Sequence, residues 1–422
     1  MKDQVMSKIL KPQKLKGFQD IFGDSCALKE DLLEKIRHKA KLANFSVLET
    51  PCLEYTETLL GVGGETDKQV FRFTDNGGRD VALRYDLTVP FARFVAENQG
   101  KLILPYKRFQ VGKVWRAEKP QKGRYREFSQ CDFDIIGVDN EWTDIEIVSL
   151  FYTIFADVIG LPFTMHLGFR QVVSAVIYKI YGKDLSPESE KRILINLDKA
   201  EKIGAEKVCK LIAEETQTRL DQAEELVKKL APVENPLEQL DSLKTYLEGD
   251  EEAQTEINRL ATTIKILAQT CCSTKGKIKL NLSVVRGLAY YTGLVFETTL
   301  DDFAEFGSVG SGGRYDDLSG RFMKESLSGI GGSVGIDRLL AALLSREESN
   351  NFETHKRAMI AVATPDARDY AFTLLSHLRA NNIACDVHLK DQKLAQQFKF
   401  ANRAAYDFVL TVGTDEKKES TA

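Results

Sequence analysis

Residues 109–134 read FQVGKVWRAEKPQKGRYREFSQCDFD, and this stretch sets the frame for the rest of the chain. Arg116 and Glu118 stand two apart, so on a strand both point to the same face. The loop 119–123 follows, then a second strand carrying Arg124, Arg126, Phe128, Gln130, Asp132 and Asp134 at even spacing. The pattern predicts two strands that present a pocket floor of arginines, carboxylates and a phenyl ring. Guanidinium forks suit phosphate oxygens, and the ring can stack on a base. The plainer alternative is a surface hairpin stitched by ion pairs, each worth little. So many arginines and carboxylates on faces shared with Phe128 and Gln130 weigh against it.

Further strands are predicted from apolar or alternating runs at 106–115, 127–136, 161–168, 276–284, 293–299 and 305–310. Residues 70–75 and 79–84 flank Asn76-Gly77-Gly78, a strong hairpin signal. An amphipathic helix over 24–44 returns Leu28, Leu32, Leu33, Ile36, Ala40 and Ala43 at helical spacing, and a strand over 45–50 follows, stopped by Pro51. Strands joined by short turns and interrupted by helices predict an α+β domain over 15–344 on an antiparallel sheet. Residues 170–272 break that rhythm: rich in Lys, Glu, Leu and Ala, they predict a helical insertion whose charges are a solvated face. Within it, Ser186-Pro187-Glu188 combines a capping hydroxyl, a first-turn proline and an acid. Residues 1–14 are basic and patternless, which predicts a mobile arm, and 345–356 form a polar linker. Beyond it a βαβαβ alternation over 357–422 predicts a small parallel or mixed sheet: strands at 358–363, 383–388 and 408–412, helices at 366–380 and 391–404.

The balance of 58 Lys and Arg against 62 Asp and Glu, net −4, argues against a protein that coats nucleic acid through bulk charge. A local basic surface would still suffice to meet an RNA partner. No apolar run approaches a membrane span, and the first residues lack a secretory h-region, so a cytoplasmic enzyme is expected. Seven cysteines without a CxxC pair and five histidines without ligand spacing predict reduced thiols and no structural metal.

Three more clusters can carry chemistry. In 284–296, VVRGLAYYTGLVF, Arg286 sits in an apolar strand ahead of Tyr290 and Tyr291. An unpaired cation would be costly there, so Arg286 is either a structural ion-pair residue or a group facing an anionic ligand. Residues 306–316 are glycine-rich, which permits close backbone approach but fits neither Walker nor Rossmann spacing. In 329–339, GIGGSVGIDRL, glycines close a strand and lead into a helix whose first turn holds Asp337 and Arg338. An arginine near a helix start suits phosphate.

Together these segments resemble the class II aminoacyl-tRNA synthetases and, within them, the histidyl-tRNA synthetases, over about 14–416. Thr50-Pro51-Cys52-Leu53-Glu54 resembles motif 1, Arg116-Ala117-Glu118 through Gln130 motif 2, and 332–338 motif 3. The segment LRYDLTVP at 83–90, Arg286-Gly287-Leu288 with Tyr290-Tyr291-Thr292-Gly293, and Gly312-Gly313-Arg314-Tyr315-Asp316 are similar to the family's own signatures. The resemblance implies a class II antiparallel-sheet catalytic domain with a helical insertion, followed by an α/β anticodon-binding-like domain. It implies a homodimer through motif 1, with ATP and Mg2+ activating L-histidine for tRNA(His), and no membrane or DNA partner.

Carried over residue by residue, Arg116 would hold the ATP α-phosphate and the histidine carboxylate. Glu118 would position the adenine and Phe128 would stack on it, while Arg338, helped by Arg124, would meet the outer phosphates. Asp86 and Thr88, with Leu87 between them and Gln130 nearby, would take the histidine ammonium. Asp134 and Tyr291 would bracket the imidazole, and Tyr290 and Tyr315 would complete its pocket. Arg286 would touch the α-phosphate during adenylation, and Gln121 and Lys122 would meet the tRNA acceptor end. Two departures stand out. Ala289 replaces the family's usual Asp, removing a carboxylate near Arg286 or Tyr291, and the anticodon-like domain is expected to be incomplete, through truncation or reduction. The related regulatory subunit of ATP phosphoribosyltransferase typically lacks the catalytic arginines, whereas Arg116, Arg286 and Arg338 are all present.

Overall fold

The computed structural model describes residues 10–60, 68–121, 123–284, 291–345 and 356–419. Lys122, Arg286, Ala289, Tyr290, most of the expected arm and most of the linker lie outside the described residues. The chain divides into two units, 1–347 and 348–422.

Fourteen strands occur among the described residues: β1 (Ser46–Val47), β2 (Leu53–Tyr55), β3 (Arg72–Thr74), β4 (Asp80–Leu83), β5 (Tyr106–Trp115), β6 (Glu127–Ile136), β7 (Phe163–Phe169), β8 (Gly276–Leu280), β9 (Leu294–Leu300), β10 (Ser308–Tyr315), β11 (Gly329–Gly335), β12 (Arg357–Val362), β13 (Ala384–Val387) and β14 (Phe408–Val412). The first unit is built on an eight-stranded sheet in the order β1-β5-β6-β11-β10-β9-β7-β8. Its six inner strands run antiparallel, as the short turns predict, and the edge pairs β1/β5 and β7/β8 are parallel. A small sheet, β2-β4-β3, lies apart from it, and the expected hairpin forms its β3/β4 half. There Asp75 Oδ1 accepts from the backbone N–H of Gly77 and Arg79, both at 2.9 Å, which closes the turn.

Alternation along β6 divides the large sheet into two faces. Cys131, Phe133 and Ile135 enter the main apolar core, while Gln130, Asp132 and Asp134 face the other way. Phe133 packs against Phe109, Phe45 and Phe151 at ring separations of 4.8, 5.5 and 5.7 Å, so one aromatic cluster ties the sheet to the helices behind it. Those helices include Asp24–Leu42, which buries Leu28, Leu32, Leu33, Ile36 and Ala40, and Glu141–Thr153.

The insertion is helical, from Arg170–Tyr181 to Glu251–Thr270. The Ser186 hydroxyl caps helix Pro187–Leu197 by accepting from Ser189 N–H at 3.1 Å, as its sequence predicts. Three strand expectations need correction. The strand over 45–50 shrinks to β1, because after Leu48 the chain turns away to deliver Thr50 to Arg84 and Gln110. The strand over 276–284 ends at Leu280, where Asn281 begins a turn that returns to Val284. The strand over 305–310 starts as a single 3-10 turn, Ala304–Phe306, and β10 instead runs through the glycines to Tyr315.

The second unit is a parallel sheet, β13-β12-β14. Ala358, Ile360 and Val362 of β12 pack with Ala371 and Leu375 of helix Arg368–Ala380, and Met359 and Ala361 pack with Ala401 of helix Leu394–Arg403. The alternation thus covers both faces of β12. A final helix, Thr414–Glu419, has no apolar stripe to announce it; it is held by polar contacts such as Lys417 to Asp369 at 2.8 Å.

Candidate active site

Two adjoining cavities open on the charged face of the large sheet. The smaller, about 200 Å³, is lined by Asp86, Thr88, Asp132, Asp134, Tyr291 and Tyr315 among others. The larger, about 300 Å³, is lined by Gln69, Glu118, Arg124, Phe128 and Arg338 among others. Arg116, Gln130, Ser311 and Ser333 belong to both walls. A guanidinium, that of Arg116, stands at their junction.

The floor of the smaller cavity follows from register. Arg108 lies opposite Asp134, Gln110 opposite Asp132 and Gly112 opposite Gln130 across β5/β6. Arg108 is fully buried, and its Nε stands 2.8 Å from Asp134 Oδ2. Its Nη2 donates to the Leu87 carbonyl at 3.1 Å and lies 3.7 Å from Asp132 Oδ2. The other Asp134 oxygen accepts from the Tyr315 hydroxyl at 2.6 Å. Burial raises the Asp134 carboxyl, opposed by Arg108 and Tyr315. Burial also pushes Asp132 up to about 7; Arg108 and the Ser333 hydroxyl pull it down, while Asp134 and Asp86 add to the rise. Asp86 precedes helix Thr88–Glu97 and accepts from Val89 N–H at 3.0 Å through Oδ1. Its carboxyl too is raised by burial.

Glycine makes this floor possible. Opposite Asp134 on β11 stands Gly331, where a Cβ would come within 2.1 Å of Asp134 Oδ1. Across β10/β11, Gly312 faces Gly332, and a Cβ at Gly312 would lie 2.2 Å from the Gly331 carbonyl. A side chain at either position would collide with Asp134 or with the neighbouring strand, so glycine lets the strands close beneath the cavity.

In the larger cavity, Arg116 donates from Nε to the Tyr85 carbonyl at 3.0 Å and lies 5.1 Å from the centre of the Phe128 ring. Arg124 reaches Glu118 at 3.7 Å. Arg338, in the first turn of helix Ile336–Leu344, donates to the Ser308 carbonyl. Its neighbour Asp337 turns inward, accepting from Ser129 N–H at 2.6 Å and lying 3.3 Å from Lys29, so it supports the helix rather than the cavity.

Of the residues singled out from sequence, the cavities gather Asp86, Thr88, Arg116, Glu118, Arg124, Phe128, Gln130, Asp134, Tyr291, Tyr315 and Arg338. Leu87 is buried and contributes its carbonyl to Arg108 rather than a lining side chain. Arg126, despite its even spacing, leaves the floor: its Nε donates to the Glu118 carbonyl at 3.1 Å. Gln121 forms a tight turn with Arg124 in the exposed loop. Arg314 also points away, into a buried network with Asp144, Thr143 and Ser328. Arg259 of the insertion shares Asp144, which ties helix Glu251–Thr270 to β10. The sequence reading missed Arg108 and the lining role of Ser311 and Ser333. A signal existed for Arg108, since Arg108, Gln110 and Gly112 alternate with apolar Phe109 and Val111.

The family model described as histidyl-tRNA synthetase matches residues 17–339, and that of an anticodon binding domain matches 357–422. A histidine–tRNA ligase of Rhodopirellula baltica is 38% identical over 410 residues, 97% of this chain and 91% of the relative. One of Treponema denticola is 38% identical over 405 residues, 94% of this chain and 88% of the relative. The crystal structure of histidyl-tRNA synthetase from Nostoc sp. PCC 7120 superposes with a TM-score of 0.84 at 25% identity, covering 97% of this chain and 94% of that one.

Proposed function

The chain belongs to the histidyl-tRNA synthetase family, and from that premise we propose how its two cavities divide the reaction. It is an aminoacyl-tRNA ligase that charges tRNA(His) with histidine, using ATP. The division rests on one observation: Arg116 belongs to both walls. A cation there can hold the histidine carboxylate and the α-phosphate together, and adenylation needs those two anions brought together. Attack by the carboxylate on phosphorus gathers negative charge, which preorganised guanidinium groups offset.

Histidine occupies the smaller cavity. Asp86, Thr88 and Gln130 take its ammonium, and Asp134 and Tyr291 take the two imidazole nitrogens. Tyr315 and Arg108 fix the Asp134 carboxylate from its two sides. ATP occupies the larger cavity, its adenine over Phe128 and beside Glu118, its outer phosphates toward Arg338 and Arg124. Arg286 serves the α-phosphate. Magnesium travels with the nucleotide: among the described residues no cluster of three His, Cys, Asp or Glu forms a cage. Mg2+ ordinarily rests on phosphates with one or two carboxylates, and Glu118 can supply one. When bound, it neutralises phosphate charge.

Gln121 and Lys122 meet the acceptor end of the tRNA. The protein acts as a cytoplasmic homodimer, its contact on the motif 1 side, where Val47, Leu53, Tyr55 and Phe73 expose apolar side chains. ATP–pyrophosphate exchange with each of the standard amino acids tests the division: only histidine should support exchange, and Arg116→Ala should abolish it. Exchange that survives Arg116→Ala undiminished refutes the shared-wall role. Light scattering that finds an active monomer at micromolar concentration refutes the dimer.

A further inference from the structure

Nothing in the roles assigned so far uses Asp132. Its side chain is buried among the lining residues of the smaller cavity. One oxygen, Oδ1, is buried without a hydrogen-bond partner, and the same holds for Asp86 Oδ2 and Gln130 Oε1. Oδ2 lies 3.7 Å from Arg108, whose Nε is committed to Asp134 at 2.8 Å. Among the described residues, three buried carboxylates, Asp86, Asp132 and Asp134, line the cavity, with Arg116 in its wall and Arg108 and Arg84 behind them. Buried acceptors without partners are costly until a donor arrives.

We propose that Asp132 is a second carboxylate for the substrate's α-ammonium, acting beside Asp86, and that it sets the requirement for a charged amino group. The proposal rests on the reading of the smaller cavity as the histidine site. An ammonium supplies three N–H donors, which match the unpartnered acceptors on Asp86, Asp132 and Gln130, and its charge suits the two carboxylates. The charged and titratable groups around Asp132 are Arg108 from β5, Asp134 on its own strand, Asp86 ahead of its helix, Arg116 and Arg84. Tyr291 and Tyr315 complete the lining. With the cavity empty, Asp132 titrates near neutrality, so part of the population holds a proton there. Arrival of the ammonium favours the ionised carboxylate. The Asp132 proton leaves to solvent while the ammonium keeps its own three, and the charge balances.

Calorimetric titration in buffers of different ionisation enthalpy reads this directly. At pH 7 the wild type should release about half a proton per histidine bound. The same release is expected with histidinol, which keeps the ammonium. Each ligand's imidazole titrates near this pH and sheds its own proton fraction on binding; beyond that fraction imidazolepropionate, which lacks the ammonium, should release none. Asp132→Asn should remove this half proton from the histidine count and weaken histidine roughly 10- to 100-fold, while changing imidazolepropionate binding little. ATP binding by the variant checks that it is folded, and the proton count on the wild type needs no variant. Equal release with histidine and imidazolepropionate after the imidazole contribution is subtracted, or a variant that discriminates between them as the wild type does, overturns the role of Asp132. Wild-type protein that binds no histidine overturns the cavity assignment, and this proposal with it.

Discussion

Asp132→Asn should make the unliganded protein more stable than the wild type at pH 8, although it removes a charge that the substrate site uses. Burial lifts this carboxyl from 3.8 to about 7. About three pH units at roughly 1.4 kcal/mol each place about 4 kcal/mol against its ionised form in the folded protein. A raised carboxyl binds its proton more tightly folded than unfolded, so stability falls as pH rises from about 4 to about 7 and is flat on either side. Asparagine lacks that decline. Its amide must still be satisfied beside Ser333, and an unmade hydrogen bond returns about 1–3 kcal/mol. The expected net gain above pH 7 is therefore roughly 1–3 kcal/mol, a rise of roughly 3–6 °C in the melting midpoint. Near pH 4 the charge effect vanishes and the variant should be equal or weaker, so the two stability curves cross. Asp86 and Asp134, also raised by burial, contribute to both proteins and largely cancel in the comparison. Scanning calorimetry of both proteins between pH 4 and pH 8 reads this difference. Parallel curves would refute the reasoning, because they would mean that Arg108 keeps Asp132 ionised throughout.

Other perturbations separate the cavities from their supports. Gly331→Ala puts a Cβ 2.1 Å from Asp134 Oδ1, so histidine binding should be lost with about 1–3 kcal/mol of stability while ATP still binds; loss of both ligands together would contradict independent cavities. Asp337→Asn weakens the buried pair with Lys29 and should destabilise by about 3 kcal/mol in urea, whereas Arg338→Ala should slow pyrophosphate exchange by roughly 10²-fold and leave the urea midpoint unchanged. The reverse pattern would exchange the roles of these two neighbours. Gln121→Ala should reduce tRNA charging and spare exchange, as expected of a base-reading side chain on an exposed turn; equal charging of normal and altered acceptor ends by both proteins would remove that role.

Local pattern alone determined much of this protein. The period-2 runs placed β5, β6 and β14 at the observed ends, and Ser186-Pro187 placed the start of its helix, because side-chain alternation and capping are properties of a few consecutive residues. The motif residues also identified most of the cavity lining, from Asp86 to Arg338. What the sequence could not decide was what each charged residue faces. Arg126 and Phe128 share the same spacing, yet Arg126 turns to the Glu118 carbonyl and Phe128 to the cavity. Arg314 lies among the family signatures and is buried against Asp144, 170 positions earlier. Arg108 lies outside every motif and holds Asp134 from below. Glycine was equally mute: β10 has no alternation to read, because the absence of side chains lets its backbone lie against β11. Partners of buried charges are set by cross-strand register and by helices far apart in sequence, and the desolvation that lifts Asp132 arises only when those elements close over it.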